Sequence, residues 1–250
     1  MVMSCGVVMT RSVWAYNLEA EFELIRRMIR FFPVISMDTE FPGVIFQLDP
    51  TFRQPRNNYA LMKANVDRMC KESMHLIQVG LTLSDCHGNL PTFGTSNRFI
   101  WEFNFCEFDV TRHLHAPHSI ALLQSQGMDF HKNRSFGANI MRFVELMMTS
   151  GFLCNSHIQW ITFHGAYDFA YLVKKVYDVK HLVKFCPNLY GGLDKVSKSL
   201  GLDNSARRSH HAGSDSLVTL HVFNEIKRLY FHTDSDLKKH ASVVYGLEMF

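Results

Sequence analysis

The stretch that decides the fold is Val34-Ile35-Ser36-Met37-Asp38-Thr39-Glu40-Phe41-Pro42-Gly43. Its apolar start predicts a strand that delivers two carboxylates, Asp38 and Glu40, just before a Pro-Gly break. Side chains two positions apart on a strand leave the same face, so the two Cα atoms would lie about 6.6 Å apart and the carboxylates could share a divalent cation or straddle two. The tripeptide Asp-x-Glu alone is common on solvated surfaces, so this interpretation needs partners from elsewhere in the chain.

Regular elements on both sides of this strand predict an α/β fold. A helix is expected over Leu18 to Phe32, where apolar residues recur near the 3.6-residue period and acidic residues precede basic ones. Leu76 to Leu83 and Arg98 to Phe105 predict two more strands joined by a turn, so the first three strands should form an antiparallel meander. Later helices are predicted over Ser119 to Gln126, Ala138 to Thr149, Gly192 to Leu200 and Ser214 to Tyr230, and a fourth strand over Trp160 to His164.

These elements predict one α/β domain with a mixed sheet, in which three antiparallel strands are followed by parallel strand-helix units. We place this domain at residues 14–231 and treat 1–13 and 232–250 as terminal extensions. Between the first two strands we expect a loop over Leu48 to Asn58 and a short helix over Tyr59 to Cys70. No internal repeat and no long linker divides the chain.

The composition is that of a folded globular chain. Its 250 residues are 47% hydrophobic and carry a net charge of only +3, which disfavours a broad basic surface that binds nucleic acid through phosphates. Six scattered cysteines without a Cys-x-x-Cys pair argue against a zinc ribbon or a disulfide framework, so we interpret them as free intracellular thiols. The sequence shows neither a signal-peptide pattern nor a run of about 18 apolar residues, so we expect a protein that is neither secreted nor membrane-spanning.

Two later carboxylates are candidates to join the pair on the first strand. Asp168 follows the fourth strand at a predicted helix start, where it would be either a metal ligand or a helix cap. Asp215 enters the last helix five residues after His210. Here the alternative to a metal ligand is a Ser214-Asp215 cap, with both His210 and His211 on the surface.

The order of these groups along the chain makes coincidence a poor explanation. Four carboxylates gathered in one place would repel each other unless cations intervened. Two divalent ions about 3.5–4 Å apart would offset that charge and hold both the attacking and the leaving oxygen of a phosphodiester. A histidine at the rim can take the proton from the attacking water, because imidazole titrates near neutral pH. The set therefore predicts a two-metal nuclease.

Three motifs resemble the exonuclease motifs of the Pop/Caf-type deadenylases, the DEDDh nuclease branch found in the CCR-NOT complex. They are Met37 to Gly43, Phe163 to Phe169 and His210 to Ser216. The similarity extends from about Trp14 to Phe231 and is greatest to the plant members, through stretches such as Phe99-Ile100-Trp101-Glu102-Phe103-Asn104.

This resemblance implies an RNase H-like exonuclease fold and 3′-to-5′ removal of AMP from mRNA poly(A) tails, with two divalent ions, Mg²⁺ or Mn²⁺. The residues that carry over as metal ligands are Asp38, Glu40, Asp168 and Asp215. His210 carries over as the general base, and His211 falls at a variable position of the motif. The implied partners are the 3′ end of poly(A) RNA, the CCR-NOT scaffold and a second deadenylase subunit, in the cytoplasm and nucleus.

Two other functions compete with this one. The first is a catalytically weak or silent adaptor subunit of the same complex, and the second is a related exonuclease that trims DNA. A pure adaptor would have no physical need for five correctly spaced ionisable groups, which favours the enzyme. The chain also departs from the family pattern, with an insertion at Arg68 to His75 and a shortened crossover over Gly165 to Lys175. A fifth, short strand is predicted at Tyr177 to Val179. Because a parallel crossover normally needs a dozen or more residues, the alternatives are that this strand is displaced or lost.

Weaker signals have two interpretations each. Phe41 either stacks on the terminal nucleotide or packs in the core. Arg207 and Arg208 either steer an RNA phosphate or form an exposed charge pair. The three histidines between His113 and His118 lack the acidic or cysteine partners of a zinc site, so we do not expect a metal cluster there.

Overall fold

The computed structural model describes residues 6–43, 76–152, 155–163, 176–202 and 210–241, together with Val243 and Tyr245. The strands within these ranges are β1 (Val8–Val13), β2 (Val34–Glu40), β3 (Gln78–Ser84), β4 (Arg98–Asn104), β5 (Gln159–Thr162) and β6 (Val176–Asp178). The helices are α1 (Leu18–Met28), α2 (Pro117–Ser125), α3 (Phe130–Phe136), α4 (Ile140–Thr149), α5 (Val179–Val183), α6 (Leu193–Ser199), α7 (Ala212–Tyr230) and α8 (Asp234–Lys238). None of the described helices is both long and apolar enough to cross a membrane.

The six described strands form one mixed sheet in the order β1-β4-β3-β2-β5-β6. The neighbours β2, β3 and β4 are antiparallel, which confirms the predicted meander. β5 runs parallel to β2 and β6 parallel to β5, as expected for the later strand-helix units. β1 pairs in parallel with β4 at the outer edge.

The ends of the central strands meet at one edge of the sheet. Glu40, the last residue of β2, lies opposite Gln78 at the start of β3, and Gln78 lies opposite Asn104 at the end of β4. Because β5 is parallel to β2, its carboxyl end points to the same edge. The Asp-x-Glu motif is therefore presented where several strands and their following segments converge.

One face of the sheet is apolar and is covered by α1 and α4. Phe22 of α1 packs on Phe103 of β4 and on Phe143 of α4, with ring centroids 5.4 and 5.5 Å apart. The same cluster buries Ile35 and Leu81 from the central strands. These side chains alternate with the ones that face the opposite side, as the two-residue period of a strand requires.

The opposite face is covered by α7 and carries small polar side chains at its centre. The hydroxyl of Ser36 donates to the carbonyl oxygen of Ser216 across 2.6 Å. Thr82 Oγ1 and Ser216 Oγ lie 2.8 Å apart, and all three residues are fully buried. Pairing of buried hydroxyls fixes the helix against β2 and β3 without leaving these polar groups unsatisfied.

Both terminal stretches differ from the sequence expectations, and the question of the fifth strand is answered. The stretch 1–13, predicted as an extension, contains β1, whose polar Thr10 and Arg11 hide any apolar period. The stretch 232–250, also predicted as an extension, contains α8, which buries Leu237 in the core. The fifth predicted strand is present as β6. Four predicted features lie outside the described residues: the loop and helix between β2 and β3, the inserted segment, the shortened crossover, and the arginine pair before His210.

Candidate active site

A cavity of about 300 Å³ opens at the carboxyl end of β2. β2 and the segment that begins α7 supply most of its polar lining, and the start of α6 supplies the remainder. The lining residues are Asp38, Thr39, Glu40, Gly192, Leu193, Asp194, His210 and Asp215. The structure thus brings four of the predicted site residues together, and the fifth, Asp168, lies outside the described residues.

Three of these residues offer ligand atoms that all lie within 4.8 Å of one another: Glu40, His210 and Asp215. Glu40 and His210 are half-buried, and Asp215 is 6% exposed. In the part of the chain that the structure describes, this is the only such group of three. One hard divalent cation can bridge carboxylate oxygens at this separation, because metal–oxygen distances are about 2.0–2.6 Å. The carboxylate oxygens of Glu40 and Asp215 therefore suit a Mg²⁺- or Mn²⁺-like ion.

Close packing between β3 and α7 brings the two halves of the site together. Gly80 of β3 lies directly opposite Asp38 in the strand register. A Cβ atom built on Gly80 would lie 1.8 Å from the carbonyl oxygen of Ala212. Only glycine admits the helix at this distance, so Gly80 allows α7 to approach the carboxylates of β2.

His210 is held in a backbone conformation that is uncommon for residues other than glycine. Its φ angle is +59°, in the left-handed region. Its backbone N–H donates a hydrogen bond to Oδ2 of Asp215 across 3.1 Å. The residue predicted as the general base is thus fixed to a predicted metal ligand.

The helix-cap alternative for Asp215 is wrong. α7 begins at Ala212 with His211 at the N-cap, so Ser214 and Asp215 lie inside its first turn. The backbone N–H of Asp215 donates to the carbonyl oxygen of His211, as an intrahelical bond. The buried carboxylate of Asp215 faces the cavity instead of capping the helix.

His211 is not the surface residue that the other alternative required. Its imidazole Nε2 lies 2.7 Å from the carbonyl oxygen of Gln126, and its Nδ1 lies 3.5 Å from Glu102 Oε2. Its side chain is only 13% exposed. The ring therefore ties the start of α7 to the end of α2 and to β4.

Sequence reasoning missed the contribution of α6 to the cavity. Asp194 adds a half-buried carboxylate from the first turn of this helix. Tyr190, just before the Gly191-Gly192 turn, is 62% exposed and carries the ammonium of Lys195 at 3.7 Å from its ring centroid. The signal was a Tyr-Gly-Gly-Leu-Asp-Lys stretch, which places an aromatic, a carboxylate and a cation around a tight turn.

The weaker candidates have separate outcomes. In the His113 to His118 segment, His113 Nδ1 accepts a hydrogen bond from the backbone of Asp109 and His115 Nδ1 lies 2.9 Å from the carbonyl oxygen of His113. Among the described residues, the one group of three potential metal ligands does not include them. Phe41 is half-buried and does not line the cavity, so its stacking role stays a prediction.

Comparison with known proteins identifies the class of this fold and site. The family model of the CAF1 family ribonucleases matches residues 13–143. The chain is 44% identical to "Probable CCR4-associated factor 1 homolog 10" of Arabidopsis thaliana, over 96% of this chain and 92% of that protein. It is 36% identical to the poly(A) ribonuclease pop2 of Schizosaccharomyces pombe, over 95% of this chain and 74% of that protein. The chain therefore belongs to the CAF1 family of ribonucleases, and its identity to this plant relative exceeds its identity to the fission-yeast one.

Solved structures confirm the fold. The Mg²⁺- and Mn²⁺-bound form of S. pombe Pop2p superposes with a TM-score of 0.81 at 36% identity, covering 95% of this chain and 99% of that one. A yeast CAF1 crystallised with the NOT1 MIF4G domain gives a TM-score of 0.71 at 28% identity, covering 95% and 96%. The predicted RNase H-like exonuclease fold with a mixed sheet is thus correct.

Proposed function

We propose that this chain is a 3′-to-5′ poly(A)-specific exoribonuclease that shortens mRNA poly(A) tails and releases AMP. The observation that carries the proposal is the convergence of Glu40, His210 and Asp215 within 4.8 Å, in the cavity that Asp38 also lines. The fission-yeast relative supports the substrate, because it is named a poly(A) ribonuclease. Its solved metal-bound form supports a divalent cofactor.

The carboxylates have the role of metal ligands in this proposal. Asp38, Glu40 and Asp215, together with Asp168, would hold two divalent ions of the Mg²⁺ or Mn²⁺ type. When bound, such ions supply the positive charge that stabilises the attacking and leaving oxygens. The rigid strand β2 and the buried turn of α7 keep the described ligands in place, so little reorganisation is needed on binding.

His210 has the role of general base. A water oxygen attacks the phosphorus of the last phosphodiester, and the imidazole of His210 accepts the proton that this water loses. The bond between phosphorus and the 3′ oxygen of the preceding nucleotide then breaks, the electron pair stays on that oxygen, and it takes a proton from solvent. The products are 5′-AMP and an RNA one nucleotide shorter.

The rim of the cavity supports the binding of single-stranded RNA. Tyr190 presents an exposed ring beside the turn that leads into Gly192 and Asp194 of the cavity. Lys180 Nζ donates a hydrogen bond to the carbonyl oxygen of Gly191, which steadies this turn. An exposed aromatic ring with a neighbouring lysine offers stacking to a base and a cation to its phosphate. We assign this rim to a nucleotide upstream of the 3′ end.

The exposed face of α4 supports assembly with the CCR-NOT scaffold. In this proposal the scaffold also brings the chain to a second deadenylase subunit, in the cytoplasm and nucleus. Met141, Val144 and Met148 are 71%, 40% and 65% exposed and follow one another at helical spacing. A contiguous apolar stripe of this kind is typical of a protein interaction surface. The yeast CAF1 structure with a NOT1 MIF4G domain supports a domain of that type as the partner.

The test is incubation of the purified protein with Mg²⁺ and an RNA that ends in oligo(A), beside an oligo(U) RNA and single-stranded DNA. Asp38→Ala should abolish shortening of the oligo(A) end, whereas Asp234→Ala, which removes an exposed carboxylate on α8, should not. Absence of Mg²⁺-dependent shortening would favour the silent adaptor. Faster loss of DNA than of RNA would favour the DNA-trimming exonuclease.

A further inference from the structure

The start of α7 receives a hydrogen bond from the sheet below it. The first N–H groups of a helix have no partner within the helix and need acceptors from outside. The backbone N–H of Ala212, the first residue of α7, donates to Oε1 of Gln78 on β3 across 2.9 Å. Gln78 is 1% exposed and Ala212 is fully buried. A buried side-chain amide of the sheet therefore supplies the cap.

Two further buried contacts fix the orientation of the Gln78 amide. Its Nε2 donates to Oδ1 of Asn104 across 2.8 Å. The Nδ2 of Asn104 in turn donates to the carbonyl oxygen of Val13 across 3.3 Å. Reversing the Gln78 amide would place its NH₂ group against the N–H of Ala212 and its oxygen against that of Asn104. The series of hydrogen bonds that links Val13, Asn104, Gln78 and Ala212 thus has one favourable direction.

This series of hydrogen bonds ends between His210, which precedes α7, and Asp215, which lies in its first turn. Ala212 lies two residues after His210 and three residues before Asp215. At the other end of the same contact, Gln78 lies directly opposite Glu40 in the strand register. One buried hydrogen bond therefore joins β3, at the residue paired with Glu40 of β2, to the segment that carries His210 and Asp215.

We propose that Gln78 is a positioning residue of the active site, which sets His210 and Asp215 at their distance from Glu40 through the N–H of Ala212. The inference rests on the proposed function, since positioning matters to a reaction that these groups perform. Small displacements of such groups reduce catalysis strongly, and losing the support of a metal ligand weakens metal affinity or activity about 10- to 100-fold.

A merely structural role for Gln78 makes a different prediction, and the chain offers a matched control. Thr82 lies on the same strand and face and contacts the same helix one turn further on, through Ser216. Thr82→Val keeps the shape of the side chain and removes that contact, while Ser216 keeps its bond to Gly213. Gln78→Met likewise keeps the length of the side chain and removes both of its hydrogen bonds. Gln78→Glu retains an acceptor oxygen for Ala212, and because burial favours the protonated carboxyl, its O–H replaces the donor to Oδ1 of Asn104.

The experiment measures three properties of the wild-type chain and these variants. They are kcat and KM on oligo(A) RNA, Mn²⁺ affinity by electron paramagnetic resonance, and hydrogen exchange of the Ala212 amide in the metal-free protein by NMR. For Gln78→Met we expect kcat and Mn²⁺ affinity to fall about tenfold or more, with KM within about twofold. The Ala212 amide should exchange at least about tenfold faster. Gln78→Glu should recover most of kcat and of the amide protection, and Thr82→Val should keep kcat even where its thermal stability falls.

Two results would overturn the proposal. One is wild-type kcat, Mn²⁺ affinity and Ala212 protection in Gln78→Met. The other is an equal loss of kcat in Thr82→Val, which would make the effect one of general stability. If Gln78→Met does not fold, a large kcat loss in folded Gln78→Glu overturns the inference and retained kcat supports it. If the wild-type chain shortens no RNA, the proposed function fails, while metal affinity and amide exchange still decide the role of Gln78.

Discussion

The backbone N–H of His210 donates a hydrogen bond to the carboxylate Oδ2 of Asp215, 3.1 Å away. The residue that would take a proton and the residue that would hold a cation therefore cannot move independently. The backbone of His210 is left-handed, with φ at +59°, a conformation that costs free energy in a residue other than glycine. The hydrogen bond to Asp215 offsets part of that cost.

Replacing Asp215 by Asn should separate the effect of its charge from the effect of its hydrogen bond to His210. The amide oxygen still accepts from His210, so the fold should persist, but the negative charge that attracts the cations is lost. We expect kcat on oligo(A) RNA to fall by more than about 100-fold, as when other charge-stabilising groups are removed from active sites. Mn²⁺ is expected to raise the melting temperature of the wild type, and this rise should disappear in Asp215→Asn. The measurements are single-turnover kinetics and thermal scans with and without Mn²⁺, with Asp234→Asn as the unaffected control. Unchanged Mn²⁺ stabilisation in Asp215→Asn would rule out its role as a ligand.

Gly80→Ala should damage both stability and activity. The added Cβ would lie 1.8 Å from the carbonyl oxygen of Ala212, so α7 must move away from β3. Overpacking of this kind costs about 1–3 kcal/mol of the free energy of unfolding. The shift also carries Asp215 away from Glu40, so kcat should fall beyond what the stability loss explains. Urea unfolding and kinetics at low temperature measure the two effects.

The control for this variant is Ser84→Ala on the same strand. The buried hydroxyl of Ser84 has no hydrogen-bond partner among the described residues, so its removal should leave stability and kcat unchanged. A Gly80→Ala protein with wild-type stability and kcat would show that the helix is not held by close contact there.

Tyr190→Ala should weaken RNA binding without slowing the chemical step. Stacking of a base on an aromatic ring contributes about 1–3 kcal/mol, so KM for oligo(A) should rise at least about fivefold while kcat stays near the wild-type value. Tyr190→Phe keeps the ring and should behave as the wild type. Steady-state kinetics on substrates of two to eight adenylates make the comparison. An unchanged KM in Tyr190→Ala would exclude this residue from the RNA path.

Met148→Glu should prevent binding to a NOT1-type MIF4G domain and leave deadenylation by the free protein intact. The charge would lie at the end of the apolar stripe on α4, where Met148 is 65% exposed, so folding is not disturbed. We expect the dissociation constant to rise about tenfold or more, because the carboxylate would lose water at the interface without gaining a partner. Isothermal titration with the purified MIF4G domain measures it. Leu114→Glu, an exposed position in another segment, should bind normally, and equal binding by both variants would exclude the α4 stripe as the scaffold site.

Acidification should loosen the carboxyl-terminal segment through His240. Its ring packs on Phe185 and Phe231 at centroid distances of 4.3 and 5.3 Å. Burial, followed by the neighbouring His181 and Lys239, lowers the pKa of His240, and Asp236 only partly opposes this. The unfolded chain then binds a proton that the folded chain resists. The stabilising contribution is thus present above the unfolded pKa of about 6.5 and is lost as pH falls through it towards the lower folded pKa.

The measurement is the melting temperature between pH 7.5 and 5.5. His240→Phe keeps an aromatic ring against Phe185 and should show a weaker decline towards acid than the wild type. His118→Gln changes an exposed histidine and should keep the wild-type slope. Identical slopes in all three proteins would exclude His240 as the source.

The sequence was sufficient for what depends on local pattern. The two-residue period put Asp38 and Glu40 on one face of a strand, and the apolar face of α7 fixed the element that carries Asp215. The role of Gly80 could not be predicted from the sequence, because it depends on the distance between a strand and a helix that are far apart along the chain. β1 was missed for a similar reason: its residues alternate weakly, and its partner β4 lies far along the chain. The inward position of His211 depends on Gln126 and Glu102, which no spacing in the sequence brings near it.

The distance along the chain between the two halves of the site has a consequence for biosynthesis. Ser36 and Ser216, which hold β2 and α7 together, are 180 positions apart. A ribosome therefore releases the strand with Asp38 well before the helix with Asp215. In a nascent chain the cavity stays incomplete until that helix has also left the exit tunnel, so its two halves meet only after translation has passed the second of them.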